Sequence, residues 1–587
     1  MRLYDLETPE QIQILSIEQL EEVANDIREF LIDSLSKTGG QLARNLSVVD
    51  LTIAMHYVFH APEDKIIFDI GDQGLTHKIL TGRSNRFALL SKMDGLNSFN
   101  DSHESSFDTW KATPPGDGLS IALGMAAARD FMNHTNQVLC LFDYESLYKG
   151  SALEALGQIA KEKRNLILIY NDDSLEKEKK GRFNFSKSPK KINRKYHINS
   201  NKPTTTIHKN VKNKVSSVKG SLHKLSNHKL FNGFGIDSIG PIDGHDMNTL
   251  IQTFNAAKNH KGPIVVHVKT IKGYGSKFIQ KDKNWNPLVP FHLENGKALF
   301  ELPKTEITWD DLTKQIVSEL SKENTKIYNL DSKQISYSHR IRYACGLASN
   351  GFHPFLSIPS CEVLNCLEAI QSNLCFMDLP IIVNVNQAGL LGETAPIFQG
   401  IHDIVHFTQI PNLIYAQAKD AKEYMDLYYT ALQSNHPFFI RSESGHTKKM
   451  KDNESNLIQI GSWSQFQIGM NPQSIVITYG NTVDRLINKA KQNNLELLIV
   501  NARFFKPIDT KMLKELLLLE LPIYVCETDR KGGLSAIIQS FANQMVYSMG
   551  IEDHFVEQGS MRSLRIRENI TIESFLEEIT RDYDAIR

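Results

Sequence analysis

Two aspartates about thirty residues apart are the first candidates for chemistry in this chain. Asp143 directly follows an apolar run that begins at Leu139, and Asp173 closes the polar triplet after the strand-like run Asn165–Tyr170. Carboxylate oxygens are the ligands that Mg²⁺ prefers in proteins. If both runs are strands, the two carboxylates would hold one hard cation between them.

A parallel sheet would bring the two aspartates to one edge. The small residues of Ser151–Ile159 predict a helix between the two apolar runs, which gives the order strand, helix, strand. Further strand-like runs at Lys65–Ile70 and Pro263–Lys269 are separated by helical stretches. Ligands of parallel α/β sheets lie at the carboxyl ends of the strands, where we expect Asp143 and Asp173.

The same α/β pattern occurs twice more along the chain. Amphipathic helices are expected at Leu15–Gly39 and Val48–Tyr57, and strands and helices alternate again from about Lys326 to Arg441 and toward the carboxyl terminus. The expected fold class is therefore α/β, with three domains that each contain a largely parallel sheet flanked by helices. The expected domains are residues 1–303, 304–450 and 451–587.

The composition is typical of a soluble globular protein. Of the 587 residues, 41% are hydrophobic and 23% are charged, and the net charge of −1 indicates no partner by itself. The polar, acidic start and the lack of an apolar run of about 18 residues predict a cytoplasmic protein without a membrane span. The six cysteines form no C-x-x-C pair and lie in apolar segments, so they are predicted to be reduced core residues.

A basic segment interrupts the first α/β region. Residues 176–229 contain 16 Lys and Arg against two Glu, a difference of +14, and Ser, Asn and Thr fill most of the rest. Too few apolar residues are present for a core, which predicts a flexible insertion. A solvated lid is one interpretation, and an arm that binds phosphates or nucleic acid is the other. The sparse aromatic residues Phe183, Phe185 and Tyr196 disfavour nucleic acid.

Four further segments resemble one enzyme family. They are SVVDLTIAMHYVFHAPEDKIIFDIGDQGLTHKILTGR at Ser47–Arg83, SIGPIDGHD at Ser238–Asp246, NARFFKPID at Asn501–Asp509 and FVEQGS at Phe555–Ser560. The chain resembles 1-deoxy-D-xylulose-5-phosphate synthase, a transketolase-like enzyme, over essentially its whole length. The resemblance implies a dimer of three-domain subunits that uses thiamine diphosphate and Mg²⁺ to join decarboxylated pyruvate to glyceraldehyde 3-phosphate.

The resemblance also assigns roles to the two aspartates. Asp143 matches the aspartate of the family's Gly-Asp-Gly, and Asp173 replaces the last asparagine of its Asn-Asp-Asn, which ligates the metal through oxygen. The resemblance implies that both aspartates bind the cofactor and Mg²⁺, with the backbone carbonyl of Leu175 as a further ligand. Phe142 and Tyr144 replace the two signature glycines, and bulky side chains there would close off the approach of a diphosphate. The three domains would be a diphosphate-binding type, a pyrimidine-binding type and a transketolase carboxy-terminal type.

Other positions depart from the family pattern. The alignment of Ile335–Gly351 places Tyr337 where a glutamate should assist proton removal from the cofactor, and a phenol with an ordinary pKa of about 10 is a poor substitute. Pro114 and Pro115 lack the donors of the motif that grips the diphosphate. Arg441 keeps its expected type and is predicted to bind substrate. Further replacements at family site positions are Gln41, Asp72, Ser276, Glu362, Asn365, Gln387, Thr394 and Phe398.

Because these losses are concentrated at cofactor and substrate positions, we expect a homologue that is impaired or inactive in the synthase reaction. It would act as a non-catalytic, regulatory or repurposed member, as a homodimer or with a related subunit, through apolar helices at Leu347–Ser357 and Leu364–Leu374. The alternative is an active thiamine-diphosphate-dependent transferase for isoprenoid, thiamine and pyridoxal biosynthesis. A second alternative is a protein that binds phosphates or nucleic acid through the basic segment.

Overall fold

The computed structural model describes the chain as two compact units. The first unit comprises Met1–Leu90 and Leu96–Leu299, and the second comprises Ser91–Gly95 and Phe300–Arg587. The described residues are 3–111, 114–173, 229–281, 289–300, 302–331, 336–450 and 454–586. The predicted basic insertion at 176–229 lies outside the described residues except for its last position.

The first unit is built around one parallel sheet. Its strands are β1 (Lys65–Phe68), β2 (Val138–Asp143), β3 (Leu166–Asp172), β4 (Asp237–Asp243) and β5 (Pro263–Lys269). Its helices are α1 (Glu10–Gln13), α2 (Ile17–Thr38), α3 (Leu42–Ser47), α4 (Val49–Val58), α5 (Leu75–Lys78), α6 (Gly118–Phe131), α7 (Gly150–Glu162), α8 (Lys229–Phe234), α9 (Met247–Lys258) and α10 (Lys277–Lys281). The strand order is β1-β2-β3-β5-β4, and each neighbouring pair is parallel.

Alternating side chains of the central strands contribute to two hydrophobic cores. On β2, Leu139 and Leu141 belong to a core that includes residues of α2 and α4. Val138, Cys140 and Phe142 belong to a second core that includes residues of α6 and α7. Successive strand residues point to opposite faces, so a strand covered on both faces is apolar throughout. This explains why β2 is a continuous apolar run in the sequence.

The second unit begins with elements of a second α/β sheet. They are β6 (Glu306–Thr308), α11 (Trp309–Glu323), β7 (Ile327–Asn329), α12 (Tyr337–Ala348), β8 (His353–Pro359), α13 (Val363–Ala369), β9 (Ile382–Ala388), α14 (Asp403–Phe407), β10 (Ile414–Gln417), α15 (Ala421–Gln433), β11 (Phe438–Glu443) and β12 (His446–Lys448). The strands β6 and β12 form a separate antiparallel pair.

The remaining elements of the second unit form a third sheet and complete the second. They are β13 (Ser464–Ile468), β14 (Ser474–Thr478), α16 (Thr482–Gln492), β15 (Leu497–Asn501), β16 (Phe504–Lys506), α17 (Thr510–Leu517), β17 (Ile523–Arg530), α18 (Leu534–Gln539), β18 (Val546–Ile551), α19 (Met561–Arg567) and α20 (Ile572–Ile586). The second sheet has the order β16-β10-β11-β9-β8-β7, and the third has the order β13-β15-β14-β17-β18. Only the edge strands β16 and β13 pair antiparallel with their neighbours in these two sheets.

The α/β prediction, with three largely parallel sheets flanked by helices, is confirmed. The helices predicted at Leu15–Gly39 and Val48–Tyr57 correspond to α2 and α4. The helix predicted at Leu347–Ser357 is wrong, because α12 ends at Ala348 and most of the remaining residues form β8. Gly351 has a φ of 80°, a left-handed conformation that is typical of residues just beyond a helix end.

The cysteines and the helix lengths bear on two further predictions. The six cysteines are free thiols, four of them buried and two half-buried, as expected for reduced residues of the core. In the part of the chain that the structure describes, no helix has both the length and the apolar character needed to cross a membrane.

Candidate active site

The carboxyl ends of β2 and β3 position the two predicted aspartates. Asp143 is the last residue of β2 and pairs in register with Asn171 of β3, and Asp173 directly follows β3. Both side chains are buried. Asp143 Oδ1 accepts a hydrogen bond of 2.7 Å from the backbone N–H of Glu145, whereas neither carboxylate oxygen of Asp173 accepts one from the described residues.

Burial is the main reason that both acids hold a proton more tightly than usual. It raises the pKa of Asp143 to about 8, and the charges of Glu145 and Asp173 add to the effect. Burial also raises the pKa of Asp173 to about 6, against the attraction of Lys272 and Arg44. A cation between two buried carboxylates would offset the free-energy penalty of their charges.

The oxygens of Asp173, which accept no hydrogen bond from the described residues, fit a hard cation such as Mg²⁺. A buried carboxylate without a hydrogen-bond donor destabilises the folded state unless a ligand satisfies it. Over the described ranges, no group of three or more His, Cys, Asp and Glu side chains could hold a metal ion. A cation here would therefore need oxygen ligands beyond Asp143 and Asp173. The predicted carbonyl ligand, Leu175, lies outside the described residues.

Arg44, from α3, balances two acids near the strand ends. Its Nη2 donates to both carboxylate oxygens of Glu145 at 2.8 Å, and its Nη1 lies 3.7 Å from Oδ1 of Asp72. Burial opposes the charge of Arg44, but Asp72 and Glu145 outweigh burial and raise the pKa of the guanidinium above its usual range. The carboxylate of Asp72, one of the replacements at family site positions, is thus paired with a cation.

Lys272, from the loop after β5, is the second cation near the aspartates. Its Nζ lies 3.8 Å from Oδ2 of Asp173 and 3.4 Å from the phenolic oxygen of Tyr144. The same Nζ lies 5.3 Å from the centre of the Tyr144 ring, within the range of a cation–π contact. The site therefore combines buried acids with a lysine that could contact an anionic ligand.

Of the two residues that replace the signature glycines, only Tyr144 lies beside the aspartates. The ring of Phe142 is buried in the second core, 5.4 Å from the ring of Tyr170 and 6.3 Å from that of Phe231. The expectation that the Phe142 side chain closes off a diphosphate is therefore wrong. Phe142 and Asp143 are successive strand residues, so their side chains point to opposite faces of the sheet.

The turn before α6 directs its backbone donors at Asp69, just after β1. The N–H groups of Gly116 and Gly118 lie 2.8 Å and 2.7 Å from its carboxylate oxygens, and the Ser146 hydroxyl donates to the same carboxylate. Pro114, which was predicted to cost the site a donor, begins this turn. The N–H groups of Gly116 and Gly118 are thus already engaged by a side chain of the protein.

In the second unit, Tyr337 is the first residue of α12. Ser336 caps the helix by accepting a hydrogen bond from the backbone N–H of His339, and the Arg340 guanidinium lies 5.0 Å from the Tyr337 ring centre. Burial, together with the charge of Glu362, raises the pKa of Tyr337 to about 12. The phenol therefore stays protonated at physiological pH and does not exchange its proton as a carboxyl group does.

The first turns of α12 and α13 pack together and bring Glu362 near Tyr337. The Ser338 hydroxyl donates to the backbone carbonyl of Asn365 at 2.8 Å. Glu362, which precedes α13, accepts a hydrogen bond of 3.0 Å from the Asn365 amide. A tyrosine and a glutamate that are distant in the sequence thus lie in one neighbourhood of the second unit.

Arg441, on β11, is buried in a network of hydrogen bonds. Its Nε donates to Asp403 at 2.6 Å, its Nη1 donates to Gln417 at 2.7 Å, and its Nη2 donates to Asp529 at 2.7 Å. Only 1% of the residue is exposed. These contacts connect β11 to α14, β10 and β17 within the second unit. Its predicted role in substrate binding stays a prediction.

Sequence analysis missed three charged residues beside the aspartates. Glu145 stands two residues beyond Asp143, and Lys272 follows a predicted strand, so the rule that ligands lie at strand ends would have indicated both. Arg44 carries no such signal, because it lies on a helix about a hundred residues away in the sequence.

Comparisons with known proteins add independent findings. Residues 3–270 match the family model described as 1-deoxy-D-xylulose-5-phosphate synthase. The chain is 31% identical to the 1-deoxy-D-xylulose-5-phosphate synthase of Geobacillus sp., with 96% of each chain covered. It is 32% identical to that of Bacillus cereus, with 99% of this chain and 98% of the relative covered. A solved transketolase from Campylobacter jejuni matches with a TM-score of 0.40 and 16% identity, covering 97% of this chain and 100% of that chain.

Proposed function

Because the chain belongs to the 1-deoxy-D-xylulose-5-phosphate synthase family, we propose that it is a member that keeps a cation site but is impaired in the synthase reaction. The observation that carries this proposal is the residue at the start of α12, which is the tyrosine Tyr337. The family resemblance asks for a carboxyl group at this position, one that exchanges a proton close to the working pH. A phenol that stays protonated can donate or accept a hydrogen bond, but it does not take up and release a proton near the working pH.

The retained part of the site is the pair Asp143 and Asp173. These aspartates would hold Mg²⁺, which fits the oxygens of Asp173, since these accept no hydrogen bond from the described residues. Lys272 would contact the anionic diphosphate that accompanies the cation, since its ammonium already lies near Asp173 and Tyr144. Thiamine diphosphate, when bound, supplies the carbon centre at which pyruvate loses carbon dioxide. The residues of this chain would bind and orient the cofactor, but they would contribute little to the removal of its proton.

A family member with slow chemistry and an intact scaffold fits a non-catalytic, regulatory or repurposed role. We infer that it forms a homodimer, or a heterodimer with a related subunit, through the helices α12 and α13. Both helices carry large exposed apolar side chains, Tyr343 on the first and Leu364 on the second. Such side chains, when adjacent, are typical of protein interfaces.

The test combines a binding measurement with a restored carboxyl group. In calorimetric titrations with Mg²⁺, we expect thiamine diphosphate to bind the wild-type protein, and Asp143→Asn, which removes the charge of the other proposed ligand, to weaken that binding at least about tenfold. We expect little formation of 1-deoxy-D-xylulose 5-phosphate by the wild type, and a rise of about a hundredfold in Tyr337→Glu, within the range of general acid–base effects.

Tyr328→Glu, at a half-exposed tyrosine of β7, is the matched control and should leave turnover unchanged. Wild-type turnover at the level of the synthases would contradict the proposal. The lack of any heat with millimolar thiamine diphosphate would contradict its cation-site part.

The neighbourhood of Tyr337 and Glu362 favours a second candidate, an active transferase in which Glu362 serves as the carboxyl group. This candidate predicts measurable turnover in the wild type and a loss of about a hundredfold or more in Glu362→Gln. Glu368→Gln is the control, because Glu368 is exposed and pairs with Arg342 on the surface of the same helices. Equal turnover in Glu362→Gln and the wild type would exclude this candidate.

A further inference from the structure

The loop from Ile271 to Ser276 carries Lys272 toward Asp173. The backbone on one side of the lysine is held by a hydrogen bond of 2.9 Å from the Gly273 N–H to the Ala43 carbonyl of α3. On the other side, the Ile271 N–H donates to the ring of His245 at 3.0 Å. His245 lies in the SIGPIDGHD motif, which the site residues described above do not use.

His245 makes three contacts that fix this side of the loop. Its Nε2 accepts the Ile271 N–H, so the ring proton resides on Nδ1, which donates to Oδ2 of Asp50 at 2.8 Å. The ring also stacks on Tyr274, with centroids 3.6 Å apart and planes 13° from parallel. The imidazole thus joins α4, through Asp50, to residues on both sides of Lys272.

The support behind His245 is itself rigid. Asp50 forms an ion pair with Arg28 of α2, and both side chains are buried. The Arg28 guanidinium lies 4.9 Å from the Tyr274 ring centre, and a Cβ at Gly275, where φ is 84°, would come within 2.8 Å of Arg28 Cδ. Arg28 and Asp50 therefore leave the loop little room to shift.

We propose that His245 is a positioning residue that holds Lys272 against Asp173. It acts through its hydrogen bond with the Ile271 N–H and does not itself contact the acids of the site. The inference deepens the proposed function, because it rests on Lys272 as the cationic contact of that site.

Two variants separate the hydrogen bonds of His245 from its ring. His245→Phe keeps a flat ring for Tyr274 but removes the donor to Asp50 and the acceptor for Ile271. His245→Gln keeps an amide donor and a carbonyl acceptor but removes the stacked ring. In the first variant Asp50 keeps its partner Arg28, so no buried charge is left unpaired.

The measurement is the rate at which an amine-reactive acylating reagent labels Lys272 in the full-length protein without cofactor, followed by mass spectrometry. In His245→Phe we expect the labelling rate to rise about fivefold, the change expected when one hydrogen bond to the loop is lost. His245→Gln should label close to the wild-type rate. Lys258, which donates to the Val58 carbonyl away from this loop, is the internal control and should not change.

Three results would overturn the inference. They are an unchanged rate for Lys272 in His245→Phe, equal rates in the two variants, and a parallel rise at Lys258 that indicates general loosening. If His245 had only a structural role, its replacement would lower the midpoint of thermal unfolding without a selective change in the labelling rate of Lys272.

A titration with thiamine diphosphate and Mg²⁺ distinguishes this inference from the proposed function. We expect His245→Phe to bind about fivefold more weakly than the wild type, in proportion to the loosening of Lys272. If the wild type binds no thiamine diphosphate, the proposed function fails, whereas the labelling of Lys272 still decides whether His245 positions the loop. Equal binding by wild type and variant would overturn the role of His245 in the site.

Discussion

The charge of Arg441 is matched by acids from two other elements of the second unit. Its guanidinium contacts Asp403 and Asp529, and the hydroxyl of Tyr415 also donates to Asp403. Burial opposes the charge of the arginine, but Asp403 and Asp529 raise the pKa of the guanidinium well above its usual range. A buried cation with these partners stabilises one arrangement of strand ends, since loss of the arginine would leave two buried carboxylates without their cation.

A buried histidine pair in the first unit gives a prediction for acid stability. His77 Nε2 donates to Asp108 at 2.9 Å, so its Nδ1 is free to accept from His56 Nε2 at 2.8 Å, and both rings are neutral. Burial lowers the pKa of both histidines. Below a pH of about 6.5 the histidines of the unfolded chain bind protons, whereas the folded pair does not. The contribution of the pair to the free energy of unfolding is therefore full above that pH. Below it, the free energy of unfolding falls by about 1.4 kcal/mol per pH unit for each histidine.

The test of the histidine pair is His56→Phe, followed by calorimetric unfolding at several pH values. We expect a loss of about 1–2 kcal/mol at neutral pH from the broken hydrogen bond, and a weaker fall in stability toward pH 5. The charged neighbours Lys78, Arg83, Glu104 and Asp108 stay in both proteins. Parallel pH profiles for the variant and the wild type would contradict this assignment.

At the residue scale, the sequence predicts the site residues that directly follow a strand. Asp143 and Asp173 could be identified because two apolar runs and one helix imply adjacent parallel strands. The partners that set their electrostatics come from α3 and from the loop after β5, so they depend on packing between distant segments. The orientation of the Phe142 side chain follows from strand alternation, which directs successive side chains to opposite faces of the sheet.

At the element scale, Asp69 connects the end of β1 to the turn that starts α6. We expect Asp69→Asn to lower the free energy of unfolding by about 1–3 kcal/mol, because an amide offers one neutral oxygen in place of the two carboxylate oxygens that accept from the N–H groups of Gly116 and Gly118. Thermal unfolding measures the loss. The control is Asp130→Asn at a half-exposed ion pair, which should change stability by less than about 1 kcal/mol. Equal effects in the two variants would contradict the role of Asp69.

The elements that were predicted well are those whose apolar pattern is continuous. The runs at β2, β3 and β5 are buried on both faces, so their sequences identify strands without tertiary information. The segment Leu347–Ser357 was predicted as one helix because apolar residues lie on both sides of the position where α12 ends. The left-handed conformation of Gly351 belongs to the turn that follows this helix end.

At the scale of the molecule, the sheets do not follow sequence order at every edge. The residues of β16 follow a strand of the third sheet, yet they pair antiparallel with β10 of the second. The alternation of strands and helices predicts three parallel sheets. The edge strand β16 has only three residues, which is too short for a hydrophobic pattern that would identify its partner strand. The second and third sheets are therefore joined within the second unit by hydrogen bonds as well as by packing.

The exposed apolar side chains of α12 and α13 give the last prediction, which concerns assembly. These helices and the turn after α13 pack on one another, and Leu364 is 51% exposed there. If this face forms the proposed homodimer, Leu364→Glu would place a charge in an apolar interface and raise the dissociation constant at least about tenfold. Sedimentation velocity over a concentration series measures the change. Leu518→Glu, at a leucine 82% exposed just after α17, should leave the dimer intact. A dimer that resists Leu364→Glu but dissociates with Leu518→Glu would place the interface on the third sheet's side of the unit.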